Sequence, residues 1–503
     1  MDSLARKLGY SKAPHRRPGV RSFKAADVGR LTSSWTLRDG SINADIYNGL
    51  RVMRARSRDL FANNEYAKQF SLLARANIVG SMGFAFRNRA RRSDTNDIDR
   101  DDNRLIEERF KEFSKPKYFT VTGRMSRKAF EQVVAETWLR DGEYLVRIVS
   151  TPKTEHGIAL ELLDVDRLDI EKNEQREPTT GNRVIMGVEV NSFLRPVAYW
   201  ILKVHPQSGP VTETPKGGTH VRVPADEMIH GFTALRPEQV RGVPALHAAM
   251  VALWDVGGWR EAAIINARIG ANKMGFVIGD QQGAYDGGQP MTTDYDEVGY
   301  RLNDSEPGEW HVLPPGVDIK EFDSKYPHEM FAEFNKAMLR GISAGMGVAY
   351  HSLSNDLESV NFATGKIGLL GEREMWMMLQ EQLADTLNDG YFSDWLAYSI
   401  ITGALLPIPA TPQALRLNNK PTWKGRRWPS PEPLRDAQAN ALNIGMKLTS
   451  PRRLMEQQGL DPDDEWAVMA EDEQTLRGLG LSVTLPNSVQ LIGGSDDAAD
   501  SDD

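Results

Sequence analysis

Two stretches with helical apolar spacing, residues 243–271 and 327–347, bracket residues 272–325, the most Gly- and Asp-rich internal part of the chain. Leu246, Met250, Leu253, Trp254 and Ile264 mark the first stretch, and Phe331, Phe334, Met338 and Ile342 the second. The segment between them reads as a small insertion flanked by strand candidates Met274–Ile278 and Trp310–Leu313. Any fold for this chain must carry that insertion between two helices. The pair Gly257-Gly258 is a candidate kink in the first of them.

The remaining pattern predicts a mixed α+β chain. Leu50, Met53, Leu60, Phe61, Tyr66, Phe70 and Leu73 recur at helical steps from Asp45 to Val79, around the charged stretch Arg54–Asp59, and Gly80 and Gly83 stop that helix. Residues 87–104 swing from basic to acidic and read as an exposed connection. A helix follows Ser126, its candidate N-cap, with Phe130, Val133, Val134 and Trp138 on one side. The period then changes: Glu143–Val149, Ile158–Leu163, Val184–Val190 and Val197–Val204 read as strands. Helical spacing pauses across Ala344–Phe362 and resumes from Ile367 to Leu387. Residues 407–433 are rich in Pro and Trp with little helical character, and Pro433–Leu481 reads as two or three short helices.

At 503 residues the chain exceeds one ordinary hydrophobic core, so several domains or one elongated subunit are expected. Zero cysteines exclude disulfides and thiolate chemistry, and fit a reducing cytoplasm. No apolar run approaches the roughly 18 residues of a membrane span, and no apolar region follows the basic start, so neither anchor nor secretory signal is expected. A net charge of −8 gives no support to a sequence-reading DNA binder, which would show a basic domain or stripe.

Chemical motifs fail on context. Gly341-Ile342-Ser343-Ala344-Gly345 satisfies the pattern of a nucleophile elbow, with His351 nearby, but that elbow needs a strand before the serine and here a helical pattern precedes it. The alternative of a serine hydrolase using Ser343 is therefore the weaker reading. Asp97, Asp99, Asp101 and Glu108 sit at calcium-loop spacing, yet Asp102 occupies the position that calls for Gly, and a solvated acidic linker is the better reading. No phosphate-binding loop and no paired-histidine motif occurs. The expectation is no catalytic residue, no metal and no cofactor.

Several strings resemble the lambda-like family of tailed-bacteriophage portal proteins. They are Arg54-Ala55-Arg56-Ser57-Arg58-Asp59-Leu60, Asn63-Asn64-Glu65-Tyr66-Ala67, Asn77-Ile78-Val79-Gly80, Asp141-Gly142-Glu143, Leu162 to Leu168, Gly187-Val188-Glu189, Arg195 to Trp200 and Val223-Pro224-Ala225. The sharpest is Arg236-Pro237-Glu238-Gln239-Val240-Arg241-Gly242-Val243-Pro244; Leu313 to Gly316, Leu339 to Val348 and Asn355-Asp356 to Asn361-Phe362 follow in the family's order. The resemblance covers roughly Asp45 to Leu481. It departs at Ala363-Thr364, where the family often has a serine pair, and residues 206–221 and 279–308 match no family string.

What the resemblance implies is an elongated portal fold with wing, two-helix stem, clip and helical crown, closed into a ring of about twelve copies by head-to-tail interfaces. Carried onto this chain, residues 1–44 are a partly ordered arm, 45–240 the wing, 241–271 the first stem region, 272–326 the clip and 327–350 the second stem helix. A tunnel loop follows at 351–364, then a long helix and return to the wing at 365–432, crown helices at 433–482 and a disordered acidic tail at 483–503. Lys336 and Arg340 on the second stem helix would line the channel, and Asn355, Asp356, Glu358 and Asn361 would lie on the tunnel loop. Implied partners are double-stranded DNA passing through the channel, the terminase large subunit, a head-completion adaptor, and capsid and scaffold proteins. The implied location is the portal vertex of the virion, with assembly in the host cytoplasm. An acidic balance suits a conduit, because a strongly basic lumen would bind duplex phosphates and oppose sliding.

Overall fold

The computed structural model describes residues 40–95, 97–151, 156–207, 219–271, 275–279, 317–321, 331–358, 362–429, 432–460 and 462–481. Nearly all of the expected N-terminal arm, the strand candidate Trp310–Leu313, most of 272–326, Asn361 and the acidic tail lie outside them. The chain is a mixture of helix and sheet, as its two periodicities require.

Asn64 divides the first long helical stretch: α1 spans Ile42–Asn63 and α2 Glu65–Ala74, because the Asn64 side chain accepts from the amides of Tyr66 (3.0 Å) and Ala67 (3.1 Å) and restarts the helix. A π-turn, Arg75–Val79, ends at Gly80 with φ 76°. Strand β1 (Ala85–Asn88) follows, then α3 (Arg100–Phe113), the single turn α4 (Pro116–Phe119) and α5 (Arg127–Asp141). Ser126 caps α5 as expected, its Oγ accepting from the Ala129 amide at 3.4 Å.

The expected exposed connection at 87–104 is shorter than its charges suggest. Arg87 and Asn88 belong to β1, and α3 has begun by Arg100. Buried Asn103 ties the segment down: its Oδ1 accepts from the Ala90 amide and the Asn88 side chain, and its amide nitrogen donates to Ala90 O. The calcium-loop spacing is also dissolved. Asp99 is the N-cap of α3, accepting from the Asp102 amide at 3.3 Å, while Asp101 pairs with Arg92 and Glu108 with Arg104 on the helix surface.

Strands β2 (Glu143–Ser150), β3 (Ile158–Leu163) and β8 (Met228–Phe232) form an antiparallel sheet ordered β3-β2-β8. A second sheet, β4-β5-β6-β7, contains Arg183–Ile185, Val188–Val190, Pro196–Leu202 and His220–Pro224. The expected single strand Val184–Val190 is a hairpin, because Met186 and Gly187 both take positive φ (49° and 84°) and turn the chain back. Helix α6 (Met250–Ala271) runs unbroken through Gly257-Gly258, so the glycine pair does not interrupt it. Strands β9 (Gly275–Gly279) and β10 (Val317–Glu321) pair antiparallel between α6 and α7 (Phe331–Met346).

After the short helix α8 (Tyr350–Ser354), α9 (Phe362–Leu383) passes through a second π-turn, Ala384–Asn388, into α10 (Asp389–Ile401). The segment expected to lack helix contains α11 (Pro412–Asn418), capped by Thr411, and β11 (Pro421–Lys424), which pairs with β1. Three helices close the described chain: α12 (Pro433–Gly445), α13 (Pro451–Gln457) and α14 (Pro462–Gly478).

The larger core joins α1–α5, the β2 sheet and α9–α10. Its aromatic centre is Phe110, whose ring lies 5.0 Å from Trp395 and 5.5 Å from Phe392. A smaller core lies under the second sheet, with Ile46, Leu50, Leu145, Val188 and Tyr199. Among the described residues, no helix is long and apolar enough to cross a membrane.

Candidate functional site

Glu143, the first residue of β2, is wholly buried and brings together several of the strings that carried the family resemblance. Arg54 of α1 donates to its Oε1 at 2.5 Å, and Arg241 reaches the same oxygen at 2.7 Å through Nη2 and 2.9 Å through Nε. His230 Nε2 lies 3.1 Å from Oε2, and the Gly242 amide donates to that oxygen at 2.6 Å. Arg54 also donates to Asp141 O and Asp166, and Arg241 to the carbonyls of Met186 and Leu168. Every guanidinium edge thus finds an acceptor, which burial demands. Burial pushes the Glu143 carboxyl up, but Arg241 and Arg54 outweigh it and hold the group well below the usual carboxylate range.

Two glycines permit this convergence. Gly142 has φ 91°, and a Cβ there would lie 2.2 Å from Val243 C; a Cβ on Gly242 would lie 2.1 Å from Gly142 O. Only backbone fits where the Asp141-Gly142-Glu143 turn meets the Arg241-Gly242-Val243-Pro244 segment. The hub therefore fastens α1, both sheets and the approach to α6 to one another. Beside it, Arg58 bridges Asp141 (2.7 Å), Asp166 (2.5 Å) and Asp164 (3.2 Å). Asp164, Asp166 and His205 bring ligand atoms within 4.8 Å of one another, but the Arg58 guanidinium already supplies the positive charge a metal would bring there.

The sequence reading missed this hub. Arg54 and Ser57 sit in a charged run that looks solvated, yet they are 1% and 0% exposed. A lone glutamate opening an apolar strand directly after Asp-Gly was the available signal.

Four of the six residues expected at the channel are brought together. Lys336 Nζ on α7 lies 3.6 Å from both Asp356 and Glu358, and Tyr350 donates its hydroxyl to Asp356 at 2.8 Å. The Arg340 guanidinium stands over the Tyr350 ring, 5.7 Å from its centre. Asp356 also accepts from the Glu358 amide at 3.1 Å, which folds the loop on itself. Asn355 ends α8 in the left-handed region (φ 55°) and is exposed, without joining the cluster. The neighbouring Asp356 raises the Lys336 ammonium, and the Tyr350 hydroxyl foremost keeps the Asp356 carboxyl low. The expected loop 351–364 is narrower in the structure, since α8 extends to Ser354 and α9 begins at Phe362.

Ser343 is interior to α7 and 4% exposed, its Oγ donating to Arg340 O at 3.0 Å. A hydroxyl bonded back to its own helix, with no strand before it, is no nucleophile elbow.

Residues 28–380 match the profile of the phage portal protein, lambda family. A probable portal protein of Halomonas phage phiHAP-1 (isolate -/Gulf of Mexico/-/2001) is 34% identical over 493 residues, which is 96% of this chain and 93% of that protein. Among solved structures, the neck of an empty GTA particle computed with C6 symmetry aligns at 18% identity and TM-score 0.43, covering 82% of this chain and 95% of its own. The neck of a native GTA particle computed with C12 symmetry aligns at 16% identity with the same TM-score, covering 82% of this chain and 94% of its own. On the family match and the phage relative, the chain belongs to the lambda family of phage portal proteins, a structural rather than a catalytic component of the virion's portal.

Proposed function

We propose that copies of this chain close into a ring of about twelve at one capsid vertex, through which the genome is packaged, held and ejected. In this reading residues 45–240 are the wing, α6 and α7 the stem, 272–326 the clip, and 433–482 the crown. The clip seats the terminase large subunit during packaging and a head-completion adaptor afterwards, and outer surfaces meet capsid and scaffold. The subunit is made and assembled in the host cytoplasm. Asn355, Asp356, Glu358 and Asn361 form a loop toward the duplex, with Lys336 and Arg340 at the channel wall.

One observation carries the reading beyond family membership. Helices α6 and α7 pack side by side, the Trp259 ring stacked 4.5 Å from Phe331 and 4.8 Å from Phe334, and the β9–β10 ladder joins the chain between them. A helix pair ending in a small strand ladder is the shape a stem and clip require. Apolar residues left exposed on α6, among them Val251, Trp254, Ile264 and Ile265, offer a face for a neighbouring subunit.

Electron microscopy of the purified protein tests the ring. Particles with rotational symmetry and a central hole wide enough for duplex DNA are expected; a protein that stays monomeric at high concentration would refute the assembly.

A further inference from the structure

Residues 114–127 close into a loop between α3 and α5, the Arg127 amide donating to Ser114 O at 3.0 Å. Its middle is pinned. Phe119 is wholly buried, its ring 5.2 Å from Phe113 and 5.4 Å from Phe130, and the Val121 amide donates to Leu160 O at 3.0 Å. Thr120 is also buried, and the Gly123 amide closes a turn over it by donating to Thr120 O at 2.9 Å.

What this fixed loop presents is positive charge. Lys115, Lys117 and Arg124 are exposed, and none forms an ion pair or side-chain hydrogen bond with another described residue. Lys117 stands 5.1 Å from the centre of the Tyr118 ring, a contact that leaves its charge unneutralised. Residues 113–130 contain no Asp or Glu. The acids on either side are engaged elsewhere, Glu112 with Arg109 at 3.4 Å and buried Glu131 with Arg127 at 2.7 Å. Exposed Lys111 and Lys128 flank the loop, in the last turn of α3 and the first turn of α5, and Lys128 stands against the positive end of its helix. Like charges gathered on a rigid backbone repel, so the arrangement contributes nothing to the stability of the subunit.

We propose that the 114–127 loop is a binding surface for the phosphate backbone of duplex DNA, separate from the Lys336 cluster. The make-up of the surface selects this partner over a protein. Four of the five cations are lysines, which are depleted at protein interfaces, and such interfaces need an apolar centre. Among the described residues of the loop, Val121 alone is a large apolar side chain left exposed, while Thr122 adds a hydroxyl, a common donor to phosphate. Contact of this kind is independent of base sequence, weak and salt-dependent, which suits DNA that must move. That the polymer is duplex DNA rests on the function proposed above; the cationic surface does not.

Fluorescence anisotropy of a labelled DNA duplex with the full-length chain tests the assignment. One variant combines Lys115→Gln, Lys117→Gln and Arg124→Gln. A second combines Arg176→Gln, Arg183→Gln and Arg195→Gln, three exposed arginines at the second sheet, and loses the same net charge. Each phosphate contact adds about 0.9 to the slope of log K against log salt, so the loop variant should lose roughly 2.7 of slope. Between about 50 and 200 mM salt that removes a factor of about 40 from the fall in affinity. The arginine variant should match the native chain, and electron microscopy should show the same assembly in all three. Arg124→Gln alone should lose about 0.9 of slope, a reading available even where the triple change disturbs assembly. A native slope in the loop variants, equal weakening in both triple variants, or no duplex binding by the native chain at about 50 mM salt overturns the proposal. So does loop-dependent binding of polyaspartate without loop-dependent binding of the duplex, which would give the surface to an acidic protein.

Discussion

Replacing Glu143 by Gln changes almost no volume and removes one charge, which makes it the sharpest probe of the hub. In the native protein one carboxylate answers two buried guanidinium groups, with the closest contacts at 2.5 Å from Arg54 and 2.7 Å from Arg241. After substitution, the side-chain amide can still accept on one oxygen, but the other position becomes an NH₂ group facing the Gly242 N–H, which now donates at 2.6 Å to a carboxylate oxygen. Two donors would face each other. Asp166 stays within 3.4 Å of Arg54, while Arg241 keeps only carbonyls.

Breaking a buried ion pair by removing one partner costs about 3–5 kcal/mol, and the remaining Asp166 places the expected loss toward the lower end. Against a typical total of roughly 5–15 kcal/mol, such a loss is large. Denaturant unfolding of purified protein measures it, followed by tryptophan fluorescence and by exchange of the Gly242 amide. A control at Arg58→Lys, where the side chain is 29% exposed, should lose only about 1 kcal/mol. If Glu143→Gln cost less than about 1 kcal/mol with the Gly242 amide still protected, the hub would not be the ionic fastening described above.

Gly242→Ala should prevent the native approach of the two segments, because the new methyl would lie 2.1 Å from Gly142 O; soluble yield and melting temperature report it, and a native-like melt would contradict the geometry. Lys336→Met should loosen the loop after α8, seen as faster protease cleavage near 355–358, whereas Lys336→Arg should restore protection; equal cleavage in all three proteins would show that the Lys336 pairing does not hold the loop. Acid should weaken the second sheet below about pH 4.5. Burial raises the Glu189 carboxyl, but bonds from Arg222, Asn182 and Thr180 bring it down to about 2, so its contribution is complete above the unfolded value and lost as pH falls from 4.5 toward 2. Glu189→Gln should flatten that limb of the stability profile, and an unchanged limb would assign the acid sensitivity elsewhere.

How far the sequence could be read depended on where the physical signal lay. Ile158–Leu163 was legible to the residue because a six-residue run opened by Gly157 and closed by Asp164 is too short for an ordinary helix and long enough for a strand. The cap at Ser126 was legible for the same local reason. The break at Asn64 was not, since apolar spacing continues across it and only the side-chain cap interrupts the backbone. Helix α11 was hidden by the prolines around it, although Pro412 stands in its first turn, where a missing N–H costs nothing. At the channel candidates, proximity of Lys336 to Asp356 and Glu358 follows from the turn at α8 and could not be read from spacing.

Many of the strings that carried the family resemblance meet at the hub, while two others, Leu339 to Val348 and Asn355-Asp356 to Asn361-Phe362, hold five of the six residues expected at the channel, and the two regions are constrained differently. Arg54, Asp141-Gly142-Glu143, Asp166, Met186-Gly187 and Arg241-Gly242 are joined by interlocking constraints, because a buried charge tolerates few substitutes and two backbones in contact tolerate no side chain. Such a site leaves a sharp imprint on sequence. A surface past which DNA slides is constrained differently: binding must stay weak along the whole path, a condition that charge balance can meet with many residue combinations. The Lys336 cluster has that character, one ammonium answering two loop carboxylates so that the loop keeps only modest negative charge. The hub therefore carries much of the family resemblance, while the residues proposed to meet DNA are to be sought by perturbing the loop.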